Sequence, residues 1–152
     1  MIAIDADVLA IYHIFKRDTR FSATLSFIQQ SRGRERGVSI FGLLELCGLM
    51  ATAQRPENAR LLFTAYLSAS DMTVIYPQID LGSVERFWAY QNAELLRRIL
   101  QSVRLGDAAT IWTAESANCE SLVTWNVKHY QGKTSLLTQT PSQWLESNPQ
   151  VV

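Results

Sequence analysis

Asp5 and Asp7 stand inside an apolar N-terminal run, Met1-Ile-Ala-Ile-Asp-Ala-Asp-Val-Leu-Ala10. An ionised carboxylate beside a core is unfavourable unless a cation or hydrogen-bond donors compensate it. Two further acids share the anomaly. Glu45 falls on a face with Phe41, Leu44, Gly48 and Leu49 when Phe41 to Ala53 is read as a helix. Asp107, just after Gly106, opens a helical pattern in which Ile111, Ala114 and Ala117 recur on roughly one side. Each acid alone has a structural explanation: Asp5 as an acceptor of backbone amides, Glu45 as the partner of an arginine, Asp107 as a helix cap or first-turn acid. Together they point to chemistry. Converging carboxylates repel and raise one another's pKa unless a hard divalent cation binds them. Oxygen donors without a His or Cys cluster favour Mg²⁺ or Mn²⁺ over zinc. Such a cation suits phosphodiester hydrolysis, because it lowers the pKa of a water it holds and stabilises charge on the phosphate.

The elements that must position these acids follow from the apolar pattern. Ile2 to Ile4 reads as a buried strand, and Asp7 as the cap of a helix carrying Val8, Leu9, Ile11, Tyr12, Ile14 and Phe15. A second helix carries Leu25, Phe27 and Ile28, and Arg32-Gly-Arg-Glu-Arg-Gly37 reads as a solvated charged turn. Val38 to Ile40 is a second strand, followed by the Glu45 helix. Pro56 opens another helix with Leu61, Leu62, Tyr66 and Leu67. Met72 to Tyr76 is a third strand, and Ser83 to Leu100 a long helix with Phe87, Trp88, Leu95, Leu96 and Leu100 as core positions. After the Asp107 helix comes a fourth strand, Ser121 to Thr124, then Asn126, and a short closing element around Gln143 to Leu145. Alternating strands and helices predict an α/β fold with a mainly parallel sheet. In such a sheet ligands bind beyond the carboxyl ends of the strands. Asp5 follows the first strand, Asn126 follows the last, and Asp107 opens the helix between them.

The chain of 152 residues is expected to form one domain over 1–152, with 47% apolar and 18% charged residues placing it among globular proteins. Lys plus Arg and Asp plus Glu are both 14, which excludes an obligate nucleic-acid packager by charge. No apolar run reaches the ~20 residues of a membrane span, and with no basic n-region and with Asp5 and Asp7 interrupting the apolar run, no signal peptide is expected. A cytoplasmic protein is expected, with Cys47 and Cys119 as buried free thiols.

Four segments in order, Ile-Asp-Ala-Asp-Val-Leu, Val-Ser-Ile-Phe-Gly-Leu-Leu-Glu-Leu, Gly-Asp-Ala-Ala-Thr-Ile-Trp-Thr-Ala and Leu-Val-Thr-Trp-Asn-Val-Lys-His-Tyr, resemble the PIN domain family, and within it the VapC-type toxin ribonucleases. Each segment is weak alone, but their order and spacing cover nearly the whole chain. The resemblance implies a three-layer α/β/α sandwich and a Mg²⁺- or Mn²⁺-dependent endoribonuclease, with an antitoxin protein and a second copy of the chain as partners. It assigns Asp5, Glu45 and Asp107 as the metal-binding acids. Asn126 falls where the family often has a fourth Asp; it offers a carbonyl oxygen but no charge. Asp7 stands where the family usually has Asn or Ser, as a helix cap or as an auxiliary carboxylate making up for Asn126. An RNA surface would draw on Arg32, Arg34, Arg36, Arg97, Arg98, Arg104 and Lys128, with Trp125 or Tyr130 for stacking. His129 reads as structural or exposed.

Two rivals remain at this stage. Asp5-Ala-Asp7 also resembles the nucleophile loop of haloacid dehalogenase-type phosphatases, although Ala108 to Trp112 lacks the further acid that reading needs. A non-catalytic PIN-like module binding RNA or protein is the other, favoured by Asn126.

Overall fold

The computed structural model describes residues 1–149, and residues 150–152 lie outside the described residues. Its elements in chain order are Ile2–Ile4 (β1), Ala6–His13 (α1), Phe21–Gln30 (α2), a 3-10 turn at Ser31–Gly33, Arg36–Ser39 (β2), Ile40–Ala53 (α3), Pro56–Ser68 (α4), Thr73–Ile75 (β3), Val84–Ile99 (α5), Leu105–Ser116 (α6), Ser121–Val123 (β4), Val127–Tyr130 (α7), Leu137–Gln139 (β5) and Pro141–Ser147 (α8). The five described strands form one sheet in the order β3-β2-β1-β4-β5, every pair parallel. The expected α/β architecture holds, with one strand more than the apolar pattern shows. The extra strand, β5, lies at the sheet edge and leaves Leu137 exposed, so it carries no run of buried residues to announce it.

Side chains alternate across a strand, and β1 divides two cores accordingly. Ile2 and Ile4 join Val8, Leu9, Phe27, Val38, Leu43, Leu46 and Trp144 on one face. Ala3 joins Ala108, Ile111, Leu122 and Tyr130 on the other. The result is helices on both sides of a parallel sheet, the three-layer arrangement expected. No helix among the described residues is long and apolar enough to cross a membrane.

Several sequence expectations need correction. The Arg32–Gly37 stretch is only partly a turn, since Arg36 and Gly37 belong to β2. Gly37 is required there by contact: a Cβ would meet the Thr73 carbonyl oxygen at 2.6 Å and Ile75 Cγ1 at 2.7 Å. In α3 the buried residues are Gly42, Leu43, Leu46 and Met50, so the Leu44, Glu45, Gly48 and Leu49 side faces outward. That helix is apolar almost all round, and periodicity alone cannot choose its inner face. In α5 Trp88 and Leu96 are exposed, as is Leu100 just after it, while Gln91 and Arg98 are buried, and in α4 Leu61 and Leu67 are exposed. Both cysteines are free, with Cys119 buried and Cys47 half-buried.

Candidate active site

The carboxyl ends of the central strands are level, because Ile4 pairs with Val123 in the register that aligns Ala3 with Gly37. Asp5 stands at that edge. Its amide still donates to the Val123 carbonyl at 2.9 Å. Its extended backbone (φ −76°, ψ 154°) makes it the N-cap of α1, with Oδ1 accepting from the Ala6 amide at 2.8 Å. The cap is therefore Asp5 and not Asp7. Oδ2 of Asp5 accepts from the Thr124 and Tyr130 hydroxyls, each at 2.8 Å. Burial raises the Asp5 pKa above the ordinary carboxylate value; these three bonds oppose the rise and the charge of Asp107 adds to it.

Asp7, in the first turn of α1, reaches across to the segment after β4. Its Oδ2 accepts from the Trp125 amide at 3.0 Å, from Asn126 Nδ2 at 3.0 Å and from the Thr124 hydroxyl at 3.2 Å. Its Oδ1 is buried without a hydrogen-bond partner. Burial first, and then the neighbouring charge of Asp5, push its pKa from 3.8 to about 7.

Asp107 enters from the first turn of α6. Its Oδ1 lies 3.2 Å from the Tyr130 hydroxyl, and its Oδ2 3.5 Å from His129 Nδ1. Glu45 approaches along the exposed flank of α3. A Cβ on Gly106 would stand 3.5 Å from Glu45 Oε2, an ordinary contact that places this acid at the start of α6. Partial burial, then the charges of Asp5 and Asp107, raise the Glu45 pKa. Asp5, Asp7, Asp107 and Asn126 are thus linked through Thr124 and Tyr130, while Glu45 is coupled to them through its charge.

No lysine or arginine among the described residues forms an ion pair with these four acids; His129 beside Asp107 is the one basic contact. Oxygen donors with surplus negative charge suit a hard divalent cation such as Mg²⁺ or Mn²⁺. No three His, Cys, Asp or Glu side chains among the described residues are yet gathered closely enough to hold one.

The sequence reading missed Thr124 and Tyr130 as parts of this network. Tyr130 follows Asn126 by four residues, a spacing that places both on one side of a helical turn, and Thr124 is the polar end of an apolar strand. The expected RNA surface is much reduced. Arg36 is buried and paired with Asp71; Arg98 is buried and paired with Glu115; Arg97 pairs with Glu94. Arg32 and Arg34 precede β2, at the opposite edge of the sheet from Asp5. Arg104 and Lys128 remain exposed, neighbours in sequence of Asp107 and Asn126. Tyr130 is buried by its bonds to the acids, and half-buried Trp125 donates from Nε1 to Thr24 with the Arg20 guanidinium 5.8 Å from its ring centre.

The sequence matches no protein-family model and no curated protein. Its structure is similar to several solved ones. A chain of the VapBC-1 complex from nontypeable Haemophilus influenzae superposes with a TM-score of 0.62 at 21% identity, over 93% of this chain and 99% of that one. A chain of VapBC2 from Rickettsia felis, bound to a DNA fragment from its promoter, gives 0.61 at 19% identity, over 92% and 98%. The fold is that of the VapC-type PIN toxins. Mycobacterium tuberculosis VapC20, a toxin that cleaves the sarcin-ricin loop, gives 0.62 at 15% identity, over 86% and 94%. Within this PIN-like fold Asp5 stands at the carboxyl edge of the sheet, with Asp7 and Asp107 linked to it through Thr124 and Tyr130.

Proposed function

We propose that the protein is a Mg²⁺- or Mn²⁺-dependent endoribonuclease of VapC type, the toxin of a toxin–antitoxin pair. The observation that carries this reading is a set of four acids, none in an ion pair with a lysine or arginine among the described residues, at the ligand-binding edge of a PIN-like fold. Structural similarity to an RNA-cleaving toxin supports it. Asp5, Glu45 and Asp107 would hold the cation, and Asn126 would add a neutral amide oxygen. When bound, the cation supplies charge stabilisation for the phosphate and acidifies water. The chain's own residues do the rest. Ala6 and Thr124 fix the orientation of Asp5, and Asn126 with the Trp125 amide fixes Asp7 as an auxiliary carboxylate. Arg104 and Lys128 offer phosphate contacts beside the acids. A small antitoxin covering the acidic edge is the expected partner, in keeping with neighbours solved as toxin–antitoxin complexes; a homodimer is the expected oligomer.

The experiment is RNA cleavage by wild type and Asp5→Asn with Mn²⁺, Mg²⁺ or EDTA. Cleavage that needs the metal and Asp5 supports the reading, and cleavage indifferent to both sinks it. A second reading, a non-catalytic RNA- or protein-binding module, is favoured by the acids' incomplete gathering. RNA binding without cleavage, unchanged by Asp5→Asn, would support that instead.

A further inference from the structure

The Tyr130 hydroxyl stands between two of the acids, 2.8 Å from Asp5 Oδ2 and 3.2 Å from Asp107 Oδ1. Carboxylate oxygens have about two lone-pair directions each. On Asp5, Oδ1 uses one for the Ala6 amide, and Oδ2 uses both, for Thr124 and Tyr130. A phenol carries a single proton. Donated to Asp5, it leaves the phenol oxygen facing Asp107 with no hydrogen of its own to offer. The hydroxyl therefore bridges the two carboxylates with attraction on one side only. A cation held by both acids would compete for the gap that this hydroxyl fills.

We propose that the Tyr130 hydroxyl is an internal competitor for the divalent cation: it bridges Asp5 and Asp107 in the metal-free protein and gives way when the cation enters. The residue is placed to yield. It ends the four-residue helix α7, just before a turn in which Gly132 adopts φ +72°. Its ring packs in the core with Ile111 and Leu122, and its hydroxyl is the part that reaches the acids. The consequence is a site whose cation affinity is set below what its acids alone would give. This inference rests on the acidic edge taking a divalent cation, as the proposed function requires.

Calorimetric titration of MnCl₂ into the intact protein tests it, with wild type, Tyr130→Phe, and Tyr66→Phe as the control. Tyr66 is a second buried tyrosine, bonded to His13 away from the acids. Phenylalanine keeps the core filled, and cooperative unfolding of the metal-free variant checks the fold. Tyr130→Phe should bind Mn²⁺ on the order of tenfold more tightly, the size expected for removing one hydrogen bond to a charged group. Its unfolding temperature should rise more than that of wild type at equal Mn²⁺. Tyr66→Phe should match wild type. In wild type, adding Mg²⁺ should alter the near-ultraviolet tyrosine difference spectrum, and Tyr130→Phe should lose that change. Equal affinity would overturn the competition, and weaker binding by Tyr130→Phe would overturn it in favour of a hydroxyl that orients Asp5 for the cation. Absence of binding in all three proteins would instead overturn the metal reading, and the inference with it.

Discussion

The two ends of the parallel sheet treat buried charge in opposite ways. At the amino end, Arg36 is matched group by group: Nε donates to the Asp71 carbonyl at 2.9 Å, Nη2 to Asp71 Oδ2 at 2.8 Å, and Nη1 to the Ile28 carbonyl at 2.6 Å and Ser31 Oγ at 2.9 Å. His13 and Tyr66 bond each other at 2.9 Å nearby, and all of these side chains except Ser31 line one cavity of about 210 Å³. At the carboxyl end, Asp5 and Asp7 have hydrogen-bond donors but none of the four acids forms an ion pair with a lysine or arginine among the described residues, and one carboxylate oxygen, Asp7 Oδ1, is buried with no partner. A satisfied buried charge is a structural device, whereas an uncompensated cluster is unfavourable for the isolated fold and points to a missing ligand.

Substitutions at the two ends should separate activity from stability. The largest effect expected is on cleavage: Glu45→Gln should lower Mn²⁺-dependent RNA cleavage by at least roughly a hundredfold. Because Glu45 is exposed on α3, its unfolding free energy should change by no more than about 0.5 kcal/mol. Denaturant unfolding and a cleavage assay on the same preparation check both halves. Arg36→Met should do the reverse. Removing the buried guanidinium and its four bonds should cost roughly 2–4 kcal/mol in denaturant unfolding. Cleavage per folded molecule should stay near wild type. Loss of cleavage in Arg36→Met without unfolding would break the division between the ends.

The pH dependence of stability sharpens the contrast further. Asp7 is raised from 3.8 to about 7, so the native state holds more protons than the unfolded chain between those values, and stability falls as pH rises through them. Burial lowers His13 from 6.5 to about 4, aided by the charge of Lys16. Between those values the unfolded chain holds more protons, so this end gains stability as pH rises. The two slopes oppose each other in wild type. Asp7→Asn should leave the rising slope more visible in metal-free protein, by roughly 1–3 kcal/mol across the window. His13→Gln should unmask the falling one, by a smaller amount. Thermal or urea unfolding between pH 4 and 8, without metal, measures both.

Much of this contrast was legible in the sequence, and its gaps have physical causes. Acids set into apolar patterns marked Asp5, Glu45 and Asp107, and strand–helix alternation carried the fold class. The identity of the helix cap was not legible, because two aspartates two residues apart both fit and only the extended backbone of Asp5 decides between them. Arg36 looked like part of a charged turn, since a buried arginine is tolerable only through partners distant in sequence, such as Asp71. Tyr130 looked like an aromatic surface, because its role lies in a hydroxyl that meets Asp5, 125 positions away. The face of α3 was ambiguous for a simpler reason: apolar residues occupy nearly every side of it.

The most direct measurement is the paramagnetic broadening of backbone amide resonances by trace Mn²⁺ in the intact wild-type protein. The uncompensated acids predict broadening centred on Asp5 to Asp7, Glu45, Asp107 and Thr124 to Asn126, displaced by excess Mg²⁺, with the amides around His13, Arg36 and Asp71 left sharp. Broadening centred on the Arg36 end, or none at either end, would contradict a metal-binding carboxyl edge.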